Sequence, residues 1–267
     1  MPLKFATWNI NSVRLRQPIV LDFLAKEQPD VLALQEIKCT NEQFPAKGFT
    51  DAGYEYQAVH GQKAYHGVAI ISRIPLNNIE NRTFCDIDQS RHVSAKVDFG
   101  RGPVTIHNFY IPAGGDEPDP EINPKFRHKL DFYAEMRDWF SSDHFNNGHI
   151  IAGDFNIAPH ENDVWSHKQL LKVVSHTPQE IDLLNDLQAD NNWTDLVRKH
   201  VPESEKLYSW WSYRAKDWNT ANKGRRLDHI WSTPDVAEHS TNAHILRDAR
   251  GWGEKPSDHA PVIVEFN

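Results

Sequence analysis

Residues 149–156 read His149-Ile150-Ile151-Ala152-Gly153-Asp154-Phe155-Asn156. The short β-branched run has the composition of a buried strand. It stops at a glycine, which permits a tight backbone turn, and two oxygen-bearing side chains follow within three positions. The plan recurs along the chain. Phe5-Ala6-Thr7-Trp8 runs into Asn9 and Asn11, Val31-Leu32-Ala33-Leu34 runs into Gln35 and Glu36, and Ser257-Asp258-His259 stands just before Val262-Ile263-Val264. Strand ends on one edge of a sheet converge in space, so this repetition predicts a sheet-based fold with its polar chemistry gathered at one edge.

Working outward, strands are predicted over Leu3–Trp8, Val31–Leu34, Val68–Ile71, Val93–Asp98, Val104–Phe109, His149–Ala152 and Val262–Phe266. A helix from Pro18 to Gln28 places Ile19, Phe23 and Leu24 at helical spacing and stops at Pro29. A second, Phe126–Phe140, brings Leu130, Tyr133 and Met136 to one side. At Thr177-Pro178-Gln179-Glu180 a capping box opens a helix whose apolar stripe is Ile181, Leu184 and Leu187. It reads as a local helix start and nothing more. With no repeat, low-complexity tract or Gly/Ser linker, residues 1–267 are expected to form one α/β (α+β) domain of layered sheets and helices.

Composition narrows the function. The 267 residues are 39% hydrophobic, enough for a sizeable core, and the net charge is −8. Such acidity argues against a protein that coats nucleic acid indiscriminately, though not against an enzyme with a local basic groove. The two cysteines, Cys39 and Cys85, lack metal-ligand spacing and point to a reducing compartment. There is no signal-peptide pattern and no run near the ~20 apolar residues that span a bilayer. A cytoplasmic protein without a membrane partner is expected.

The Asp/Glu/Asn set at the strand ends is oxygen-rich and free of thiolate, which suits Mg²⁺, or Mn²⁺ in its place, and points to phosphoryl chemistry. Any one of these residues reads equally well as a turn former. Four such strand ends together favour a shared site.

The stretches Asn9-Ile10-Asn11-Ser12-Val13-Arg14, Leu34-Gln35-Glu36, Gly153-Asp154-Phe155-Asn156, Arg226-Leu227-Asp228 and Ser257-Asp258-His259-Ala260-Pro261-Val262 resemble the signatures of the endonuclease/exonuclease/phosphatase superfamily. Asn108-Phe109-Tyr110-Ile111-Pro112-Ala113-Gly114 and Trp210-Trp211-Ser212-Tyr213-Arg214 resemble its exonuclease III and apurinic/apyrimidinic endonuclease branch. The resemblance implies a four-layered sandwich, two packed mixed β-sheets flanked by helices. It also implies a DNA repair hydrolase that removes nucleotides from 3′ ends of duplex DNA, cleaves at abasic sites and clears blocked 3′ termini. Double-stranded DNA is the expected partner, and a monomer the expected state.

Glu36, the only carboxylate at its strand end, is the first candidate metal ligand, and Asn9 matches the family position beside the metal. Asp154, Asn156, Asp258 and His259 complete the candidate metal set. Asn11 is an amide where some relatives carry Asp. Asp154 is the candidate to orient and deprotonate water, with Asn156 holding Asp154 or the phosphate. His259 is the candidate to stabilise phosphoryl charge, oriented by Asp228. Tyr110 matches a phosphate contact or a donor to the leaving group.

For DNA, Arg214, Lys216, Lys223, Arg225 and Arg226 face a single acid, Asp217, among Trp210, Trp211, Tyr213 and Trp218. Cations track phosphates and aromatics stack on bases, so Trp210, Arg214, Arg225, Arg226 and Leu227 are the candidate DNA contacts. Trp210 and Leu227 match positions lining the abasic-sugar pocket, and Arg225 stands where some relatives have a bulky apolar residue. Two departures bear on the balance of activities: Ala113, where relatives commonly have Asn or Gln, and the acidic stretch 114–121. Rival readings are a phosphodiesterase of the same fold with another substrate, and an inactive DNA-binding scaffold.

Overall fold

The computed structural model describes residues 3–267. Met1 and Pro2, the first residues of the expected domain, lie outside the described residues. The chain opens with β1 (Leu3–Asn9), α1 (Val13–Glu27) and β2 (Val31–Gln35). β1 and β2 pair in parallel, which demands a crossover, and α1 supplies it. After α2 (Ala46–Asp51), strands β3 (Tyr56–His60) and β4 (Val68–Ser72) extend this sheet beyond β2.

A second sheet starts with β5 (Asn77–Glu80), β6 (His92–Asp98) and β7 (Pro103–Tyr110), and α3 (Pro124–Phe140) crosses over to β8 (His149–Asp154), parallel to β7. Then come α4 (His167–Leu170), α5 (Pro178–Asp190), β9 (Thr194–Asp195) and α6 (Leu196–His200). A small ribbon, β10 (Trp210–Trp211) with β11 (Gly224–Arg225), leads to β12 (Asp228–Ser232) in the second sheet. Finally β13 (Ser240–Ile245) and β14 (Val262–Phe266) return to the first.

The sheets run β13-β14-β1-β2-β4-β3 and β5-β6-β7-β8-β12-β9. Each holds one parallel pair at its centre, β1/β2 or β7/β8, and is antiparallel elsewhere. Between them Phe5, Val31 and Ile70 meet Ile106, Ile150 and Ile230. The outer face of the first sheet packs Trp8, Leu32 and Leu34 on Val20, Phe23 and Leu24 of α1. That of the second packs Phe109, Ile151 and Trp231 on Phe132 and Met136 of α3 and Leu184 and Leu187 of α5. This is the four-layered sandwich expected. Sheets covered on both faces also explain the unbroken apolar runs of the central strands.

All seven predicted strands form, most of them one or two residues longer than expected. Helix boundaries differ more. α1 begins at Val13, so Pro18, the expected start, lies inside it, although proline is costly in a helix interior. In α3, Leu130 is only half-buried while Lys129 points inward and is fully buried. The capping box of α5 is present, but Glu180 is completely buried and does more than start a helix.

Candidate active site

The carboxyl ends of the two central parallel pairs meet at one edge of the sandwich. Asn9 closes β1, Glu36 follows β2, Tyr110 closes β7 and Asp154 closes β8. Asp228, the first residue of β12, pairs directly with Asp154, and His259 lies just before β14. Gly153 is required beneath Asp154: it sits at φ 132°, and a β-carbon there would lie 2.0 Å from the Phe109 carbonyl oxygen.

One amide ties the two sheets together. Asn9 Nδ2 donates to Glu36 Oε1 and to Asp154 Oδ2, both at 2.9 Å, while its Oδ1 accepts from the Asn11 backbone N–H at 3.0 Å. The Asn156 N–H donates to Asp154 Oδ1 at 3.0 Å, and Asn156 Nδ2 donates to the Ile111 carbonyl at 2.9 Å. Asp228 Oδ2 accepts from His259 Nδ1 at 2.8 Å and from Ser209 Oγ at 2.6 Å, which leaves Nε2 facing Asp154 Oδ2 at 3.8 Å. Asp258 accepts from Asn11 Nδ2 at 2.9 Å and Trp210 Nε1 at 3.0 Å. The expected orientation of His259 by Asp228 is thus present.

Burial pushes the Asp154 carboxyl upward, and the nearby charges of Asp228 and Glu36 add to that, against the opposing pull of His259. For His259 burial works against the charged ring. Asp228 and Asp154 outweigh it and hold the imidazolium well above the ordinary histidine range. Glu36 is also raised by burial, but Lys38 and the Asn9 amide bring it below the usual carboxylate value. The Tyr110 phenol is driven well up by burial, then by the charges of Glu36 and Asp154, and it stays protonated.

Four carboxylates, Glu36, Asp154, Asp228 and Asp258, converge here, with His259, Lys38 and Arg91 among the nearby cations. Lys38 Nζ lies 2.8 Å from Glu36 Oε2 and 2.6 Å from Asn11 Oδ1, so an ammonium already bridges two oxygens beside Glu36. The cluster therefore has a cation-accepting space lined by hard oxygen donors, as a divalent ion requires. Asp154, Asp228 and His259 also bring ligand atoms within 4.8 Å of one another. Each of these groups already has a partner: His259 Nδ1 is engaged with Asp228, and the two Glu36 oxygens with the Asn9 amide and the Lys38 ammonium.

Four of the surrounding residues, Asn11, Glu36, Lys38 and Asn156, have φ of 48–55°, the left-handed region. They are held there by the fold: Ser12 N–H donates to the Glu36 carbonyl at 2.7 Å, and Lys38 N–H to the His66 carbonyl at 3.0 Å. Such backbone strain clusters at functional sites.

The DNA-contacting candidates divide. Arg214 is exposed, and Trp210 and Arg225 are half-buried. Arg225 Nη1 donates to the Val174 carbonyl and Ser175 Oγ, with its guanidinium 5.3 Å from the Trp210 ring. Leu227 lies beneath them in a small cluster with Val164 and Leu170. Arg226 corrects the sequence reading. It is completely buried, paired with Asp195 at 2.7 Å and Asp163 at 2.9 Å, and faces no solvent from which DNA could approach.

Some residues were missed. Arg91, 7% exposed, donates to the Tyr110 carbonyl and lies 5.0 Å from its ring. Lys129 Nζ donates to the Asn156 carbonyl at 2.8 Å and ion-pairs with Glu180, which also accepts from the Ser175 N–H. A lysine at helical spacing from Phe126, Tyr133 and Met136 was the available signal for the latter.

The model of a family described as the endonuclease/exonuclease/phosphatase family matches residues 6–259. The chain is 34% identical to the exodeoxyribonuclease III of Haemophilus influenzae over 273 residues, covering 99% of this chain and all of that protein. It superposes on a 3′ phosphatase from Neisseria, solved with a product DNA hairpin, with a TM-score of 0.89 at 31% identity and 99% of both chains covered. An AP endonuclease from Archaeoglobus fulgidus gives 0.90 at 29% identity, again over 99% of both.

Proposed function

Because the chain belongs to the endonuclease/exonuclease/phosphatase family, we propose that it is a metal-dependent DNA repair nuclease, hydrolysing phosphodiester bonds at 3′ ends and abasic sites of duplex DNA. The observation that carries this reading is the Asn9 amide spanning Glu36 and Asp154, with the Asp228–His259 pair alongside. Residues 1–267 act as one domain and as a monomer. Among the described residues no helix is long and apolar enough to cross a membrane. The two unpaired cysteines suit the cytoplasm.

Glu36, Asn9 and Asp258 are the proposed holders of Mg²⁺, or of Mn²⁺ as substitute, with Asn11 beside them. The bound cation supplies positive charge to the non-bridging phosphate oxygens. Asp154, lifted by burial and fixed by Asn9 and Asn156, accepts the proton of the attacking water. His259, kept cationic by Asp228, places positive charge on the phosphoryl oxygens from the opposite side. Protonated and tied at Nδ1, it serves the phosphate better than the metal. Tyr110 retains its proton and can donate it towards the leaving oxygen. Asn156 steadies Asp154 through its own backbone N–H.

The deciding assay uses purified protein, Mg²⁺ and three labelled duplexes, carrying a recessed 3′ end, an abasic site or a 3′-phosphate. Metal-dependent release from the duplexes supports the reading. No turnover of any of them, with hydrolysis of another phosphodiester, overturns it.

A further inference from the structure

Beside the reaction centre lies an open recess of about 560 Å³, within the roughly 300–1,000 Å³ of small-ligand clefts. Two half-buried tryptophans, Trp165 and Trp210, line it together with Arg214, Lys223, Arg225 and Asp116. Three cations against one acid make it electropositive in an acidic protein. Each indole is covered by a cation: Lys223 Nζ stands 4.5 Å from the Trp165 ring, and the Arg225 guanidinium 5.3 Å from that of Trp210. Lys223 is solvent-exposed on a flexible stem, so it can yield the Trp165 face to another planar group and pair with a phosphate instead.

The recess is wired to the chemistry. Backbone bridges run from Val164 to Arg225, from Arg225 to Trp210, and from Trp210 to His259. With strands about 4.8 Å apart, Arg225 stands two ladder steps, roughly 10 Å, from His259. A nucleotide whose phosphate lies at His259 therefore has its sugar and base within reach of the recess.

Building on the nuclease reading above, we infer that this recess is a stacking site for a base-bearing nucleotide, the 3′-terminal one in exonucleolytic cleavage, with Trp165 as its specificity-determining face. A baseless sugar phosphate has no π-surface to set against Trp165, whereas every nucleobase does. Removing one aromatic platform typically costs about 5- to 150-fold in affinity per base.

The test has two arms. In the first, equilibrium dialysis without metal compares labelled deoxyadenosine monophosphate with 2-deoxyribose 5-phosphate. The intact protein should prefer the nucleotide at least 5-fold, Trp165→Ala should abolish that preference, and Trp165→Phe, which keeps a flat face and controls for folding, should retain much of it. Equal binding of the two ligands, no binding of either, or a preference that survives Trp165→Ala overturns the inference. This arm needs no turnover, so it stands or falls separately from the nuclease assignment. In the second arm, Trp165→Ala should lower the ratio of kcat/KM on a recessed 3′ end to that on an abasic duplex by about 5- to 150-fold. An unchanged ratio, whether both activities fall equally or neither moves, makes Trp165 a structural wall and refutes the proposal.

Discussion

Replacing Arg226 by methionine separates a buried strut from a DNA contact. Arg226 Nη1 and Nη2 donate to Asp195 Oδ2 and Asp163 Oδ2, and the Arg226 backbone N–H donates to the Asp163 carbonyl at 2.8 Å. Methionine fills much of the volume but leaves Asp195 with only the Val197 and Arg198 N–H groups, and Asp163 with Arg198 as its remaining ion-pair partner. Although burial pulls it upward, Arg226 and Arg198 hold Asp163 down from 3.8 to about 2. That displacement corresponds to roughly 2–3 kcal/mol of favourable interaction. Breaking a buried pair from one side typically costs about 3–5 kcal/mol. For a chain of this size the melting temperature should fall by about 5–15 °C. The sign with pH follows. A depressed carboxylate contributes stability above its unfolded value and loses it as pH falls, so the gap between wild type and Arg226→Met should narrow between pH 3.8 and about 2. Calorimetry gives the melting temperature, and fluorescence anisotropy on a duplex at several salt concentrations gives the binding slope. The slope should not change. A variant that melts like wild type while its salt slope flattens by about 0.9 would show that Arg226 meets a phosphate, and would refute its role as a buried strut.

Other outcomes follow from the same geometry. Asp154→Asn should cut turnover by about 10²–10⁴-fold and leave duplex affinity largely intact, and half-normal turnover would remove Asp154 from the role of base. Glu36→Gln should raise the Mg²⁺ concentration for half-maximal activity, with partial rescue by Mn²⁺, and an unchanged metal titration would exclude it as a ligand. Arg214→Ala with Lys223→Ala should flatten the salt slope of duplex binding by up to ~2, and an unaltered slope means the DNA is held elsewhere. Burial lowers His92 and His229 to about 3 and His107 well below its usual value. The unfolded chain therefore takes up protons that the fold refuses, so stability, complete above about pH 6.5, should fall as pH drops towards 3. At most it should fall by ~1.4 kcal/mol per pH unit for each ring, and a urea midpoint equal at pH 7 and 5 would contradict this burial.

The central strands were legible because both faces of each are covered, so they show as unbroken apolar runs ending in polar residues. Glu36, Asp154 and His259 were legible for the same reason, each standing at a strand boundary. The edge strand β3, half-exposed through most of its length, offered no such run. Arg226 misled because its sequence neighbours are cations, whereas Asp195 and Asp163 lie 31 and 63 positions away. Lys129 and Glu180, 51 residues apart, were hidden likewise. Pairing across such distances is decided by the packing of whole elements, which local pattern does not encode.

The left-handed backbone at Glu36 and Lys38 sets the reaction centre against the rest of the molecule. Neither residue type favours that conformation, and glycine adopts it freely, so Glu36→Gly would relieve local strain at the expense of the carboxylate proposed to hold the metal. Selection of this protein for heat resistance alone would thus drift towards inert survivors. A library screened for turnover and endurance together would have to find its added robustness far from the sandwich's working edge, in the helices and buried pairs that already carry the load.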